Sequence, residues 1–535
     1  MTAHGIVNTP SATDTTWPGG VFKALVALIA VCALSFAFRP GPSVLDRLVV
    51  DDAYYCFTVS RNIARGAGVT IDGSTLTNGF QPLFVFLTVP LFALAGRHSF
   101  LAIRLVLVLE CAFFLGTAFL LGQIVRDFIA RDGQPARRLI PWLTALLYVS
   151  ARLVFLQHLN GLETGCLMFL YAATWRYYQA SLRDTHRHYL ALGFLLGILV
   201  LARIDAVFFV IILCVQQVLW RRGELRLRER AVWFLEMSSA SFLVSCPWWA
   251  YNVLAFHALM PSSGRAEEAW AITWARWKTI VVGLERVLVP WLYLSETGSD
   301  FTFGTVIRSL LLLVLFTIGI RLRRRFAAPL WRFTFGSPER RRTAEFAFCL
   351  AASVIVLALW YVLSSWATHY YTRYLTPMAL VAVFLVACAW AELGRIIPRY
   401  VTVGASALLV VPIMATLISW RVNTAFKGNP WLLQQVGMVT SHVPSGAVVA
   451  AGQSGFLGYF RSNVVNLDGK VNPEALAYQS RMWEYLSKVD ARWLCDFPTY
   501  VQAYLGDHPE QHGWRLVEAD DDFVLYNRED AGADR

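Results

Sequence analysis

Apolar segments about 20 residues long recur through the first four-fifths of the chain. A lipid hydrocarbon core about 30 Å thick requires roughly 20 helical residues for each crossing. The chain is 56% hydrophobic and only 16% charged, with a mean hydropathy of +0.49. Because an ordinary soluble domain is far less apolar, we predict a polytopic α-helical membrane protein. The predicted spans are 21–38, 99–121, 139–157, 162–179, 189–202, 206–220, 231–251, 303–320, 346–366, 374–392 and 401–420.

The net charge of +11 arises from arginines that cluster between the apolar segments. This distribution is typical of cytoplasmic loops of membrane proteins and argues against nucleic-acid binding. The clusters lie at 126–138, 183–187, 221–230 and 321–342. If all of them are cytoplasmic, the N-terminus is inside the cell and the C-terminus is outside. The extracytoplasmic segments are then 39–80, 252–302 and 421–535.

Three shorter features complete the organisation. The segment 82–96 is apolar but short and contains two prolines, which indicates a re-entrant or partial span and gives about 11 to 13 helices in total. Residues 1–20 are polar, so we expect a disordered N-terminus ahead of an uncleaved membrane anchor. Seven of the nine cysteines fall in apolar segments, and their spacing predicts neither disulfides nor a metal site.

The polar stretch 51–82 follows the first apolar segment directly and begins with Asp51 and Asp52. At the level of the lipid headgroups, a carboxylate can meet both a water-soluble hydroxyl and a lipid phosphate, which suits a transferase. Aspartate is also favoured at the start of a helix, where it caps unpaired N–H groups. Both interpretations of the acidic pair are compatible with the sequence.

The residues after the acidic pair predict a folded loop. Residues 53–65 have the pattern of an amphipathic interfacial helix, with Gly66 as its stop signal. Asn78-Gly79 predicts a tight turn, and Pro82 fits the first turn of the next helix.

Two further sites place ionisable residues at the ends of predicted spans. Such groups are costly at membrane depth, so Glu163 in HLNGLETGC is a candidate functional residue, with interfacial solvation as the alternative. Arg203 and Asp205 in LARIDAVFF lie between two short spans, where they could also simply neutralise each other.

Arg373 in HYYTRYLTPM lies at the outer end of a span, with His369 and Tyr374 close in sequence. Arginine and aromatic residues at this depth commonly form an interface belt without further function. A lipid phosphate at the same depth would need a permanently charged, bidentate donor, which arginine provides. From these residues alone, an interface belt and a phosphate contact are both open.

The outer loop and the C-terminal region contain the remaining patterns. Trp270, Trp274 and Trp277 have near-helical spacing and predict an amphipathic helix in the outer interface, although aromatic faces can also stack on sugars. After residue 420 the composition becomes that of a soluble α/β domain. Its predicted strands are 447–451, 463–467 and 523–526, its predicted helices are 431–440 and 473–487, and its triplet Gly452, Gly455, Gly458 is interpreted as turn structure.

The stretch DDAYYCFTVSRNIARGAGVTIDGSTLTNGFQPLF resembles the first-loop motif of integral-membrane glycosyltransferases of the GT-C fold. The closest resemblance is to bacterial protein mannosyltransferases and arabinofuranosyltransferases, which use polyprenyl-phosphate sugar donors. GLET around Glu163, the Arg203 segment, the R-Y-apolar-x-P segment at Arg373 and residues 452–475 extend this resemblance over most of the chain. One departure is Ile204, where the family pattern R-P-[DE] has proline.

The resemblance implies a domain order and a set of functional residues. A transmembrane glycosyltransferase domain, 21–420, with a first extracytoplasmic loop, 39–80, precedes the soluble domain, 421–535. The catalytic candidates are Asp51, Asp52 and Glu163, with Asp51 preferred as the base. The expected substrate-binding residues are Asn78, Gln81, Arg203, Asp205, His369, Arg373 and Tyr374.

The resemblance also implies a reaction. We expect an inverting transfer of one hexose or pentose from a polyprenyl-phosphate carrier to a glycan, lipid or protein hydroxyl, at the outer face of the cell membrane. Asp51 or Asp52 would act as general base, and the pair could hold a divalent cation. A polytopic lipid or glycolipid transporter or flippase is the alternative, together with an inactive scaffold. The absence of repeat symmetry and the long polar first loop disfavour a transporter.

Overall fold

The computed structural model describes 17–39, 45, 49–129, 139–181, 185–220, 226–293, 304–313, 337–368, 371–393, isolated positions between 404 and 418, and 431–528. Most of the predicted disordered N-terminus and most of the predicted span 401–420 therefore lie outside the described residues. The part of the chain that is described is mainly helical, with a small C-terminal sheet domain, so the predicted fold class is confirmed.

The helices of the membrane region follow the apolar segments of the sequence. They are α1 Trp17–Ala37, α2 Asp51–Ala64, α3 Pro82–Ala95, α4 Ser99–Ile129, α5 Ile140–Val149, α6 Arg152–His158, α7 Thr164–Ala180, α8 His186–Ala202, α9 Val207–Trp220, α10 Leu227–Phe256, α11 Ser262–Ala266, α12 Trp274–Leu288, α13 Gly304–Leu313, α14 Pro338–Ser364, α15 Tyr371–Leu375 and α16 Met378–Leu393. Their buried apolar side chains form one continuous core that extends to the start of the C-terminal domain.

Three described helices are long and apolar enough to cross a membrane by themselves, namely Gly20–Ala37, Ser99–Ile129 and Pro338–Ser364. The predicted single span 139–157 is wrong in one respect, because it consists of α5 and α6, which are bent by 71° at a short break. Arg152 at this break donates to the carbonyl of Tyr293 at 2.6 Å, which ties the start of α6 to another part of the bundle. Other apolar helices have only 10 to 17 residues, among them α3, α8 and α16.

Helix α2 was predicted as an interfacial helix, but the structure buries it on most sides. On one side, Ser60 Oγ lies 2.8 Å from Thr88 Oγ1 of α3. On the other side, Tyr54 and Phe57 pack against the aromatic residues of the C-terminal domain. The helix therefore connects the membrane bundle to the soluble domain, which a purely amphipathic pattern does not reveal.

The C-terminal domain contains a five-stranded sheet of order β2-β1-β3-β5-β4. Strand β1 pairs in parallel with β2 and β3, whereas β5 pairs antiparallel with β3 and β4. The strands are β1 Val449–Ala451, β2 Val464–Asn466, β3 Trp493–Asp496, β4 Trp514–Ala519 and β5 Val524–Arg528. The helices are α17 Trp431–His442, α18 Gly455–Phe460, α19 Pro473–Ala477, α20 Met482–Lys488 and α21 Pro498–Leu505.

The domain agrees with the sequence in three of its strands and differs elsewhere. The predicted helix 473–487 is two helices separated by a short 3₁₀ turn, and strands β3 and β4 were not predicted. Strand β4 is mostly exposed along its length, so it lacks the apolar alternation on which the prediction depends.

Helix α18 docks the C-terminal domain onto α2. The ring of Tyr54 lies 4.9 Å from that of Phe456 and 5.5 Å from that of Tyr459. Arg61 donates to the carbonyl of Tyr459 at 2.6 Å and lies over its ring. Aromatic pairs of this kind add to the free energy gained by burial, so the domain is held firmly on the helix that carries the acidic pair.

Candidate active site

A cavity of about 310 Å³ lies between α2, the junction of α8 and α9, the end of α14, α15 and the C-terminal domain. Its lining combines carboxylates and cations with an aromatic wall. The charged and polar residues include Asp52, Gln81, Glu163, Arg203, Asp205, Glu267, Arg373, Tyr374 and Lys470. Residues predicted from four separate stretches of the sequence thus meet in one place.

The two adjacent aspartates have different surroundings. Asp51 is buried, and its carboxylate accepts hydrogen bonds from the backbone N–H groups of Gly455 at 3.2 Å and Phe456 at 2.7 Å. Burial raises the pKa of Asp51 to about 7, with the nearby charge of Asp52 adding to this rise and the two backbone hydrogen bonds opposing it. Asp51 is not among the residues that line the cavity.

The contacts of Asp51 show which helix this residue caps. The N-cap position of α2 is Val50, which makes no side-chain capping bond. Asp51 instead satisfies the first N–H groups of α18 in the other domain. Gly455 is required here, because a Cβ atom at this position would overlap the backbone oxygen of Asp51.

Asp52 faces the cavity and is flanked by two cations. Its Oδ2 lies 3.4 Å from Nη1 of Arg373, and its Oδ1 lies 3.6 Å from Nζ of Lys470. The side chain of Asp52 is 20% exposed, so it remains accessible from the cavity. Of the two aspartates, Asp52 is the one that a substrate in this cavity can reach.

Arg203 is the most buried cation of the cavity, with a side chain only 2% exposed. Its Nε lies 3.0 Å from Asp205 and 3.8 Å from Glu163, and its guanidinium lies 4.3 Å from the ring centre of Tyr374. Its Nη1 has no hydrogen-bond partner among the residues that the structure describes. A buried, unsatisfied N–H group is costly, and an anionic ligand in the cavity would satisfy it.

Ile204, which replaces the proline of the family pattern, has a direct role. Its backbone N–H donates to Oε1 of Gln81 at 3.2 Å, which joins the first loop to the α8–α9 junction. Proline has no N–H and could not make this bond. Arg203 still has the extended backbone that normally precedes a proline, with φ of −162° and ψ of 124°.

Arg373 and Tyr374 also line the cavity, and Tyr374 lies beside Arg203. The hydroxyl of Tyr374 donates to Glu267 at 3.2 Å, and its ring stacks on Tyr361 with centres 4.4 Å apart. Tyr361 in turn donates to Asp205 at 3.4 Å. The predicted candidate His369 lies outside the described residues.

Glu163 is positioned by a loop that packs against the start of α2. The carbonyl of Asn160 accepts from the N–H of Val50 at 3.2 Å. Gly161 has a φ of +81° and donates to the buried carboxylate of Glu110 at 3.3 Å. A side chain at Gly161 would be strained and would press against Ala53 and Val49 of the acidic segment.

Asn78 and Gln81 have different positions although both belong to the same motif. Gln81 lines the cavity, whereas Asn78 is buried outside it. The amide of Asn78 donates to Asn252 at 3.0 Å and accepts from the N–H of Ser262 at 3.1 Å. Asn78 therefore joins the first loop to the end of α10. The predicted tight turn at Asn78-Gly79 is wrong, because neither residue lies in a turn. Gly79 lies against the backbone of Lys470.

Sequence reasoning did not identify Glu267 or Lys470 as site residues. Burial raises the pKa of Glu267, and Lys470, which lies 3.9 Å from it, opposes this shift. The adjacent carboxylates Glu267 and Glu268, in the predicted extracytoplasmic segment 252–302, were the available signal for the first residue. Lys470 lies in residues 452–475, a stretch that the sequence connects with the family resemblance but with no functional role.

The acidic pair does not fit a divalent cation. Asp51 is committed to two backbone N–H donors, and Asp52 lies beside two positive side chains. Binding a cation such as Mg²⁺ would bring a further positive charge next to Arg373 and Lys470. Within the described ranges there is no cluster of three or more His, Cys, Asp or Glu residues that could hold a metal ion. We therefore derive no step through a metal.

Comparison with known structures gives matches over nearly the whole chain. ArnT from Cupriavidus metallidurans bound to undecaprenyl phosphate has a TM-score of 0.55 and 12% identity, covering 97% of this chain and 99% of that chain. The apo oligosaccharyltransferase of Archaeoglobus fulgidus has a TM-score of 0.53 and 13% identity, covering 98% and 76%. AglB from Archaeoglobus fulgidus, in complex with an inhibitory peptide and a dolichol-phosphate, has a TM-score of 0.51 and 12% identity, covering 96% and 74%.

Sequence comparisons cover less of the chain. Residues 425–530 match a family described as a domain of unknown function (DUF8728). No curated protein sequence matches the chain significantly.

These comparisons confirm the GT-C fold that the resemblance of the first loop implied. ArnT and AglB have the GT-C fold, and this chain has the same fold over almost its entire length. Together with the apolar helices, the likeness identifies a multi-pass membrane protein.

Proposed function

We propose that the protein is a GT-C-type glycosyltransferase that transfers one sugar from a polyprenyl-phosphate carrier to a hydroxyl acceptor. The observation that carries the proposal is the meeting of Asp52 with Arg203 and Arg373 in one buried cavity. A carboxylate that accepts a proton and cations that bind a phosphate are the two groups that this reaction needs. The volume of about 310 Å³ is at the lower end for small-molecule sites, which suits a single sugar.

Asp52 is the proposed general base. The acceptor hydroxyl loses its proton to Asp52 while its oxygen forms a bond to the anomeric carbon. The bond from that carbon to the phosphate oxygen breaks on the opposite face, so the configuration is inverted and polyprenyl phosphate leaves. We assign this role to Asp52 and not to Asp51, the residue that the sequence favoured, because the carboxylate of Asp51 accepts hydrogen bonds from the C-terminal domain.

Arg203 and Arg373 are the proposed phosphate ligands. Both are permanently charged, and a guanidinium can donate two parallel hydrogen bonds to a phosphate. The unsatisfied Nη1 of Arg203 is the donor that the described side chains leave for such a ligand. Tyr374 lies against both guanidinium groups and fixes their orientation.

The fold neighbours support a lipid-linked donor. The ArnT structure contains undecaprenyl phosphate, and the AglB structure contains a dolichol-phosphate and an inhibitory peptide. We extend this chemistry to the present chain as part of the proposal, with the cavity and the C-terminal domain at the extracytoplasmic face. The arginine clusters of the sequence support that orientation.

The test uses purified full-length protein in lipid nanodiscs with undecaprenyl-phosphate-linked mannose and arabinofuranose. Added membranes supply the acceptor. Thin-layer chromatography measures the undecaprenyl phosphate that is released from the donor. We expect the wild type to consume one of the donors and Asp52→Asn to lose this activity. A protein that only moves labelled lipid across a vesicle bilayer, without consuming donor, would be a flippase and would contradict the proposal.

Binding provides a second test that does not depend on the sugar. Undecaprenyl phosphate should raise the melting temperature of the wild type, because a ligand that binds the folded state stabilises it. Arg203→Ala and Arg373→Ala should lose this shift. The exposed Arg481, substituted by alanine, is the control that should retain it.

A further inference from the structure

Lys470 brings the C-terminal domain into the cavity. The residue follows β2 in the sequence NLDGKVNPEA, and its side chain is only 14% exposed. Its Nζ lies 3.6 Å from Asp52 Oδ1 and 3.9 Å from Glu267 Oε1, so the ammonium lies between two carboxylates. Of the described residues that line the cavity, it is the one that comes from 431–528.

The backbone of Lys470 is held by two other parts of the chain. Its carbonyl accepts from Ser262 Oγ at 2.7 Å. It also lies so close to Gly79 of the first loop that a Cβ atom there would overlap it. These contacts with Ser262 of α11 and with Gly79 fix the position of the Lys470 backbone. The fold therefore directs the Lys470 side chain into the cavity.

A second set of contacts holds the loop that carries Lys470. Asp468 accepts from the N–H of Lys470 at 2.8 Å and from the hydroxyl of Tyr55 at 3.2 Å. The same hydroxyl lies 2.9 Å from the carbonyl oxygen of Gly452, so the two acceptors share its one hydrogen. Since Tyr55 is on α2, one turn after Asp52, the helix that carries the proposed base and the loop that carries Lys470 are directly connected.

The charges around Asp52 show what the ammonium can do there. Asp51 on the same helix, Glu267 at the end of α11 and Asp468 from the C-terminal domain are acidic, and Glu163 lines the same cavity. Arg373 and Lys470 are two cations within 4 Å of Asp52. Like charges disfavour ionisation and opposite charges favour it, so loss of either cation would disfavour the carboxylate form of Asp52.

We propose that Lys470 is a positioning residue for transfer, and that the C-terminal domain is a working part of the active site because it supplies this ammonium. The role rests on the proposed function. Lys470 holds the carboxylate of Asp52 ionised and oriented, and it separates that carboxylate from Glu267. Arg203 and Arg373 remain the ligands of the phosphate, so Lys470 acts on the base and not on donor affinity.

The experiment compares Lys470→Met and Lys470→Arg with the wild type in full-length protein, by measuring kcat from pH 5.5 to pH 9. In Lys470→Met the acidic limb of the pH profile should move upward by about one pH unit, because the base loses a neighbouring cation. At pH values below the limb its kcat should fall by up to about tenfold from this shift, and above the limb it should equal that of the wild type. Lys470→Arg keeps the charge and should keep the wild-type limb.

The matched control is Lys488→Met, since Lys488 lies in the same domain, is exposed and pairs with Glu474. It should leave the profile unchanged. A purely structural role for Lys470 would lower kcat equally at every pH, and this result would contradict the proposal. A loss of undecaprenyl phosphate affinity without a shift of the limb would instead make Lys470 a phosphate ligand, which also overturns it.

A double variant separates electrostatics from misfolding. If Lys470 separates two carboxylates, Glu267→Gln should move the limb of Lys470→Met back toward lower pH, whereas a folding defect would become worse. Failure of the two proposals can be distinguished. A wild-type protein that consumes no donor contradicts the glycosyltransferase function, while an active Lys470→Met variant with the wild-type limb contradicts only the role of Lys470.

Discussion

Asp52 Oδ2 lies 3.4 Å from Nη1 of Arg373, although 321 residues separate the two positions. This ion pair connects the first helix after the membrane anchor to the short helix that precedes α16. It is buried enough to be screened little by solvent, with side chains 20% and 15% exposed. Its two members are the proposed base and a proposed phosphate ligand, so the acceptor and donor sides of the reaction meet at this pair.

The first prediction separates the two aspartates. Asp52→Asn should reduce kcat by about a hundredfold to ten-thousandfold, because a general base typically contributes that much. Asp51→Asn should retain kcat within a few fold, because the cavity does not include it. The measurement is donor consumption by each variant, with melting temperature as the check on folding. Full activity of Asp52→Asn together with loss in Asp51→Asn would return the catalytic role to Asp51.

The second prediction concerns stability and pH. Burial raises the pKa of Asp51 and that of Asp496 to about 7, well above about 3.9 for an unfolded aspartate. Between these values the folded protein binds more protons than the unfolded chain, so stability is lost as the pH rises from about 4 to about 7. Melting curves in detergent between pH 5 and pH 8 measure this loss.

Asparagine variants assign that loss to individual residues. Asp51→Asn and Asp496→Asn should each flatten the dependence of melting temperature on pH, since the group that releases its proton is removed. Asp490→Asn, at an exposed site of the same domain, controls for the substitution itself. A steeper loss of stability in Asp51→Asn would show that the carboxylate of Asp51 is not the protonated group.

The sequence predicted much of the fold from the length of its apolar segments. The break between α5 and α6 was missed because both halves are apolar and the sequence between them, Ser150-Ala151, carries no proline or glycine. The burial of α2 was missed for a related reason. An amphipathic pattern shows that one face is apolar, but it does not tell whether lipid or a second domain covers the rest.

The site was predictable only where a local motif existed. Asp52, Glu163, Arg203 and Arg373 each stand in a recognisable stretch, and the structure brings them together. The choice between Asp51 and Asp52 could not be made, because adjacent residues on a helix point about 100° apart and nothing local shows which faces the cavity. The sequence could not predict Lys470 as a site residue, because its position depends on contacts with the first loop, nearly 400 residues earlier in the chain.

The third prediction concerns the phosphate. Arg373→Lys should weaken binding of undecaprenyl phosphate about tenfold or more, although the charge is kept, because an ammonium cannot form the planar two-bond contact. Arg373→Ala should be weaker still. Titration with undecaprenyl phosphate in nanodiscs measures the affinity, and Arg481→Lys is the control at an exposed arginine. Wild-type affinity in both Arg373 variants would assign the residue to an interface belt.

The fourth prediction concerns orientation. The arginine clusters predict that the first loop and the C-terminal domain lie outside the cytoplasm. Alkaline phosphatase fused after residue 60 or residue 470 should therefore be active, whereas a fusion within the arginine-rich segment 321–342 should be inactive. The reverse pattern would place the cavity on the cytoplasmic side, where the proposed extracytoplasmic transfer could not occur.

The last prediction tests the contact between the first loop and the C-terminal domain with a variant that substitutes no charged residue. Gly79→Ala puts a methyl group where the carbonyl of Lys470 now lies, so one of the two loops must move. Because the Lys470 loop is the one at the surface of a separate domain, we expect it to shift and to draw the ammonium away from Asp52. The pH profile of kcat should then resemble that of Lys470→Met, while the melting temperature of the bundle changes little. Gly446→Ala is the matched control, since a Cβ atom at Gly446 meets nothing within 4 Å. A wild-type profile in Gly79→Ala would show that the first loop yields instead, and that the position of Lys470 does not depend on this contact.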